Sequence, residues 1–236
     1  MKRMLVLLCI FLLSTGKIQS HAVNPYWERI RSGLPNQIIV LHDLYEYQGE
    51  VVHVRTQIPR IWGMTDADVQ ARINEELARR VEQFAAELIS LAQEAYSEFG
   101  EEMLRPFFLP YEGIVEYHVR FNRGGLLSLV INFYQFTGGA HGMTHLETIN
   151  LDLTTGRLLA FNDLFPDADA LEKLVQIIND RIAEDPYWFF IDEFDVSMFA
   201  EDQSFYFKDD HIVVVFGLYE IAPYAAGIQE FALPVW

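Results

Sequence analysis

The chain has 236 residues, with 17 lysines and arginines against 34 aspartates and glutamates, a formal net charge of −17 and one cysteine. Such an acidic chain lacks the basic surface that a phosphate backbone demands, which argues against nucleic acid as a partner. About half of it is apolar, enough to bury a sizeable core in one domain or two small ones.

At the N-terminus, Lys2 and Arg3 precede the apolar run Met4 to Leu13 and a small-residue exit at Ser20-His21-Ala22. This is the layout of a secretory signal peptide over residues 1–22, cleaved after Ala22. The run is far short of the roughly 20 residues needed to cross a bilayer as a helix, so no transmembrane span is expected after cleavage. An extracytoplasmic location, periplasmic or secreted, follows. Cys9 leaves with the signal, and the mature chain then holds no disulfide and no thiolate ligand. Loss of Lys2, Arg3 and Lys17 leaves 14 basic residues against 34 acidic ones, a balance that suits a cationic partner and also plain solubility.

Along the mature chain, Gln37 to His42 and Glu50 to Ile58 read as short strands, the second ending at Pro59. The period then changes. Val69, Ile73, Leu77, Val81, Phe84, Leu88, Ala92, Ala95 and Phe99 recur at three- and four-residue intervals, predicting an amphipathic helix from Asp66 to Phe99 with a cap at Thr65 and a stop at Gly100. Gly113 to Phe121 and Leu126 to Phe136 form a hairpin around Asn122-Arg123-Gly124-Gly125. On its second strand Leu127, Leu129, Ile131 and Phe133 share one face, and Ser128 and Asn132 mark the other. Residues 151–159 predict another hairpin, with Asp152 capping the turn and Gly156 left-handed. A helix follows Pro166, with Leu171, Leu174, Ile178 and Ile182 on one face and Asp185-Pro186 at its end. Phe205 to Phe207 and Ile212 to Tyr219 form a last hairpin, whose second strand is apolar on both faces and therefore central.

This order predicts an α+β fold of two adjoining small units, each an antiparallel sheet packed with a helix, over residues 23–147 and 148–236. Both units carry an Ile-Asn step on their helix, Ile73-Asn74 and Ile178-Asn179, which hints at relatedness.

Chemistry-bearing motifs are sparse. The stretch Gln135 to Gly142, "QFTGGAHG", sets Gly138, Gly139 and Gly142 around His141. Two readings stay open: a bulge or bend joining two strands, or a nest of main-chain N–H groups beside an imidazole that takes an anion, acetyl or carboxylate group. His141 and His145 lie on strand-like flanks at about 3.3 Å per residue, too far apart for one metal. No zinc, nucleophile-elbow or phosphate-loop signature occurs, so no metal, cofactor or catalytic residue is assigned. Asp66 to Asp68 and Asp167 to Asp169 sit at helix starts, opposing the helix dipole. Tyr219 to Gly227 is the second candidate surface: Pro223 interrupts strand pairing, and Tyr219, Glu220 and Tyr224 are ligand-binding candidates whose rings suit a sugar or a protein.

Taken together, "GLLSLVINFYQFTGGAHG", "TGRLLAFNDLF", "IIND", "FYFKDDHIVVVFGLYEIAPYAAG" and "EFALP" resemble a family of extracytoplasmic modules. These occur in the lysozyme-sensing ectodomains of RsiV-type anti-sigma factors and ahead of the catalytic domain of PdaC-type peptidoglycan deacetylases. The Thr-Phe-Asp-Asp and His-Ser-x-x-His motifs of polysaccharide deacetylases are absent from the sequence, which resembles the accessory module alone. The resemblance implies a non-enzymatic cell-envelope module that recognises a cationic wall hydrolase such as lysozyme, or peptidoglycan. The alternative is a hydrolase of wall components using His141.

Overall fold

A computed structural model describes residues 24–104, 110–165 and 168–235. The expected signal segment, Cys9 and Asp167 lie outside them. A six-stranded sheet runs in the order β1 (Ile39–Gln48), β2 (Val52–Trp62), β3 (Tyr111–Arg123), β4 (Leu126–Phe136), β5 (Met143–Asp152), β6 (Arg157–Leu158). A three-stranded antiparallel sheet follows, β7 (Phe205–Lys208), β8 (His211–Phe216) and β9 (Gln229–Pro234), with β8 central. The fold is α+β.

Four α-helices accompany the sheets among the described residues. They are α1 (Pro25–Ser32), α2 (Ala67–Leu104), α3 (Phe161–Leu164) and α4 (Ala168–Glu184), and Gly100, at φ 74° and ψ 165°, breaks α2 near its end. The predicted stop at Gly100 is thus a break with one further turn beyond it. The N-terminal cap is Asp66 rather than Thr65: its carboxylate accepts from the N–H groups of Asp68 and Val69, both at 3.0 Å, satisfying two of the free donors of the first turn.

The strands depart from an all-antiparallel plan at one pair. β2 and β3 run parallel, Val52 opposite Tyr111 to Thr56 opposite Val115, because α2 carries the chain back to the end where β2 began. Pairing with β3 stops at Thr56, which leaves one side of β2 without a strand and lets it continue through Pro59, whose missing N–H costs nothing there. The expected junction at residues 147 and 148 falls inside β5.

Four layers result. α2 covers one face of the large sheet, where Leu77 and Val81 meet Leu127, Leu129, Ile131, Phe133 and Leu151. The small sheet covers the other face, Val130 packing with Tyr206, Val213 and Val215. α4 closes the far side, Leu174, Ile178 and Ile182 lying in one cluster with Phe205, Phe207, Val214 and Phe231. β4 and β8 are therefore buried on both faces. Ser128, which sequence alone places on a polar face, is fully buried. Its Oγ donates to Asn150 Oδ1 at 2.5 Å and accepts the Phe207 N–H at 3.1 Å, while Asn150 Nδ2 donates to Phe205 O at 2.6 Å. Side chains of β4 and β5 thus satisfy the main-chain edge of β7, which no strand covers among the described residues.

The two Ile-Asn steps do the same job. Asn74 accepts from Ile61 N at 2.7 Å and donates to Ile61 O at 2.9 Å. Asn179 accepts from Phe194 N at 2.7 Å and donates to Phe194 O at 2.9 Å. In each case one helix amide completes an extended segment as a neighbouring strand would. On the opposite margin β1 is an edge that no strand covers among the described residues, with Ile39, Leu41 and Leu44 all more than half exposed.

Candidate functional site

The β4–β5 connection, residues 137–142, and the β8–β9 connection, residues 217–228, meet at one end of the layers. Gly138 and Gly139 take φ of 98° and 91°, a region open to glycine and strained for other residues. At Gly142 a side-chain carbon would stand 2.4 Å from the Tyr134 ring, so that ring would have to move to admit one. The bend carries His141 outward, so His141 lies in a loop and His145 on β5, with different neighbours.

In the second connection, Gly217 N donates to Glu220 Oε2 at 2.5 Å and Glu220 N donates to Gly217 O at 3.3 Å. This tight turn puts Tyr219 in the left-handed region, φ 66°, with its ring half exposed. Pro223 starts a short 3-10 turn, Tyr224–Ala226, that ends at Gly227 with φ 74°.

The two candidate surfaces are one. The His141 and Tyr224 rings stack with centroids 3.8 Å apart and planes 18° apart, and Tyr219 lies 5.8 Å beyond Tyr224. The Tyr224 hydroxyl donates to Gly142 O at 3.0 Å, and His141 Nδ1 stands 3.0 Å from the same carbonyl. A neutral ring makes that contact with its proton on Nδ1, which leaves the Nε2 lone pair outward. The outcome is a row of three rings with polar tips, suited to stacking on a sugar or on a partner's apolar or cationic side chain. Of the six candidates, Gly138 and Gly139 shape the bend, His141, Tyr224 and Tyr219 form the row, and Glu220 holds the turn.

Sequence reasoning missed the cleft beside this row. It has a volume of about 480 Å3 and is walled by Arg79, Gln83, Gln135, Met143, His145 and Leu218, among others. Behind it Glu76 accepts from Arg79 at 2.8 Å and from Arg80 at 2.9 Å, and Arg80 reaches Glu147 at 2.8 Å. The Arg79 hydrogen bond is the main cause holding the Glu76 carboxyl down at about 2, against a smaller opposing effect of burial. The three-residue spacing of Glu76 and Arg79 was a visible signal; the pairing of Arg80 with Glu147 of β5 was not. Among the described residues, no three of His, Cys, Asp and Glu are placed to hold a metal ion, and no helix is long and apolar enough to cross a membrane.

Residues 45–144 match the family model described as Deacetylase PdaC, and residues 162–235 match the one described as Protein of unknown function (DUF3298). Each of the two matches covers less than half of the chain, the PdaC model lying ahead of the DUF3298 model. The ring row draws its histidine from the first and its tyrosines from the second. Over 126 residues the chain is 31% identical to the peptidoglycan-N-acetylmuramic acid deacetylase PdaC of Bacillus subtilis, covering 50% of this chain and 27% of that protein. Over 192 residues it is 26% identical to the anti-sigma-V factor RsiV of the same organism, covering 77% of this chain and 62% of RsiV. The chain therefore spans about a quarter of one relative and under two thirds of the other. In fold it is similar to a DUF3298-family protein from Bacteroides fragilis, with a TM-score of 0.59, 18% identity and coverage of 86% of this chain and 92% of that one. A DUF3298-family protein from Pseudomonas aeruginosa gives a TM-score of 0.53 at 20% identity, with coverage of 86% and 93%.

Proposed function

We propose that the chain is an exported, non-enzymatic recognition module of the cell envelope, and that the row formed by His141, Tyr224 and Tyr219 is its contact surface for a cationic wall hydrolase of the lysozyme type. Relationship to RsiV supports an extracytoplasmic binding domain. The observation that carries the reading is the stacking of His141 on Tyr224, which joins the two most distinctive surface segments into one feature. Among the described residues the contacts of His141 are a ring and a main-chain carbonyl, a setting that presents the imidazole and offers no carboxylate there to orient it as a general base. The excess of negative charge speeds encounter with a cationic partner.

Surface plasmon resonance with lysozyme across a salt series, and pull-down on purified peptidoglycan, test this. Tyr224→Ala and His141→Ala are expected to weaken lysozyme binding at least tenfold, and salt to slow association more than it speeds dissociation. An unrelated acidic protein of equal charge should not bind comparably. Retention on peptidoglycan alone, lost in Tyr224→Ala, would shift the ligand to the glycan; wall hydrolysis abolished by His141→Ala would replace the reading with the hydrolase.

A further inference from the structure

A second cleft, of about 670 Å3, opens between α4, the loop after it and β9. It is distinct from the ring row, although Ala225 and Ala226, which line it, directly follow Tyr224. Its volume falls in the range of about 300–1,000 Å3 typical of ligand sites. Three acidic residues wall it, Asp180 and Glu184 from α4 and Asp185 from the loop, against the single guanidinium of Arg181; Glu230 of β9 borders it, but its carboxylate accepts from the Tyr206 hydroxyl at 3.1 Å. Trp188 joins the wall with 47% of its surface exposed, and the adjoining loop exposes Tyr187 by 98% and Phe190 by 58%.

We propose that this cleft docks an extended basic segment of a protein partner, with a lysine or arginine side chain held among Asp180, Glu184 and Asp185 beside Trp188. Charge complementarity selects that occupant. A concave wall with an excess of one sign focuses its field and raises the local concentration of the opposite charge, and an indole beside carboxylates adds the attraction of a cation to a ring. A glycan fits less well. Sugar hydroxyls need donors as well as acceptors, whereas carboxylates only accept; the Gln229 amide is already spent on Ala226 O at 2.8 Å and Gly227 O at 3.2 Å, which leaves Arg181 and the Trp188 indole as the side-chain donors against three acids. A bare metal ion fits less well too, since no three of these acids converge. The exposed aromatic loop is the apolar surface that a protein segment would cover. The inference does not depend on what the ring row binds.

The test is calorimetric titration of the full chain, at low salt, with a hexapeptide alternating arginine and alanine, beside one with glutamine at each arginine and a chito-oligosaccharide. Saturable binding of the arginine peptide alone is expected. It should weaken at least tenfold in Asp180→Asn/Glu184→Gln and at least fivefold in Trp188→Ala. It should change less than twofold in Tyr224→Ala and in the charge-matched Glu172→Gln/Glu201→Gln, whose sites are exposed and do not line the cleft. Circular dichroism confirms that each variant is folded. Equal weakening in the charge-matched variant, loss in Tyr224→Ala, absence of binding to the parent chain, or cleft-dependent binding of the sugar in place of the peptide would each overturn the proposal.

Discussion

Gly139 has a left-handed backbone and open space where a side-chain carbon would stand, so a substitution there tests conformation without crowding. Gly139→Ala is expected to cost about 1–3 kcal/mol, while His141→Ala, on an exposed side chain, should stay within about 0.5 kcal/mol. Urea unfolding compares them, and equal midpoints for both variants and the parent would remove the argument from positive φ. Asp152 supplies a test in pH. Burial pushes its carboxyl up, but the Arg29 hydrogen bond at 2.7 Å, the Thr154 N–H, the Arg29 charge and Thr155 together hold it below the usual carboxylate range. A carboxyl that is more acidic folded than unfolded adds stability above its unfolded value, and that stability is lost as pH falls through the folded one. Asp152→Asn should therefore cost about 1.5–3 kcal/mol at neutral pH, with the difference from the parent shrinking on acidification below the unfolded value near 3.9. An undiminished difference in acid would show that the charge is not what Asp152 contributes.

At the level of elements, Asn74 and Asn179 join helices to extended backbone through two hydrogen bonds each. Asn74→Leu and Asn179→Leu leave a main-chain donor and acceptor unpaired, so each should lower stability by about 2 kcal/mol; hydrogen exchange should quicken at the N–H groups of Ile61 and Phe194. Unchanged protection at both would mean water takes over the role. Much of the element order was legible because periodicity is local: both amphipathic helices and the hairpins around Gly124 and Gly156 follow from spacing and turn chemistry. What was illegible depends on distant chain. Ser128 looks solvent-facing until a second sheet covers it, and His141 meets a tyrosine bonded across 82 positions of sequence. The helix α1 was missed although its signals, Asn24 as cap and Pro25 at the first position, were present. β9 was missed as a strand because Gln229–Pro234 is short and ends in proline.

Across the whole molecule the largest buried cluster ignores the division into sheets. Trp27 and Ile30 of α1 and Phe121 and Leu126 of the large sheet lie in it with Phe205 and Phe207 of the small sheet and Leu174 of α4. Separating the sheets would expose this apolar surface to water, so thermal unfolding is expected to be a single transition, with near- and far-ultraviolet circular dichroism coinciding. Two resolved transitions would show that the halves fold independently. The bare margin of β1 has a consequence for handling. Among the described residues its ten residues end the large sheet with no strand on their outer side and with the exposed Ile39, Leu41 and Leu44, the surface through which sheets polymerise edge to edge. Mutual repulsion between chains of charge −17 keeps two such margins apart at neutral pH and low ionic strength. Concentrated salt screens that repulsion and acid discharges it, so the dispersion should coagulate in either, strand against strand.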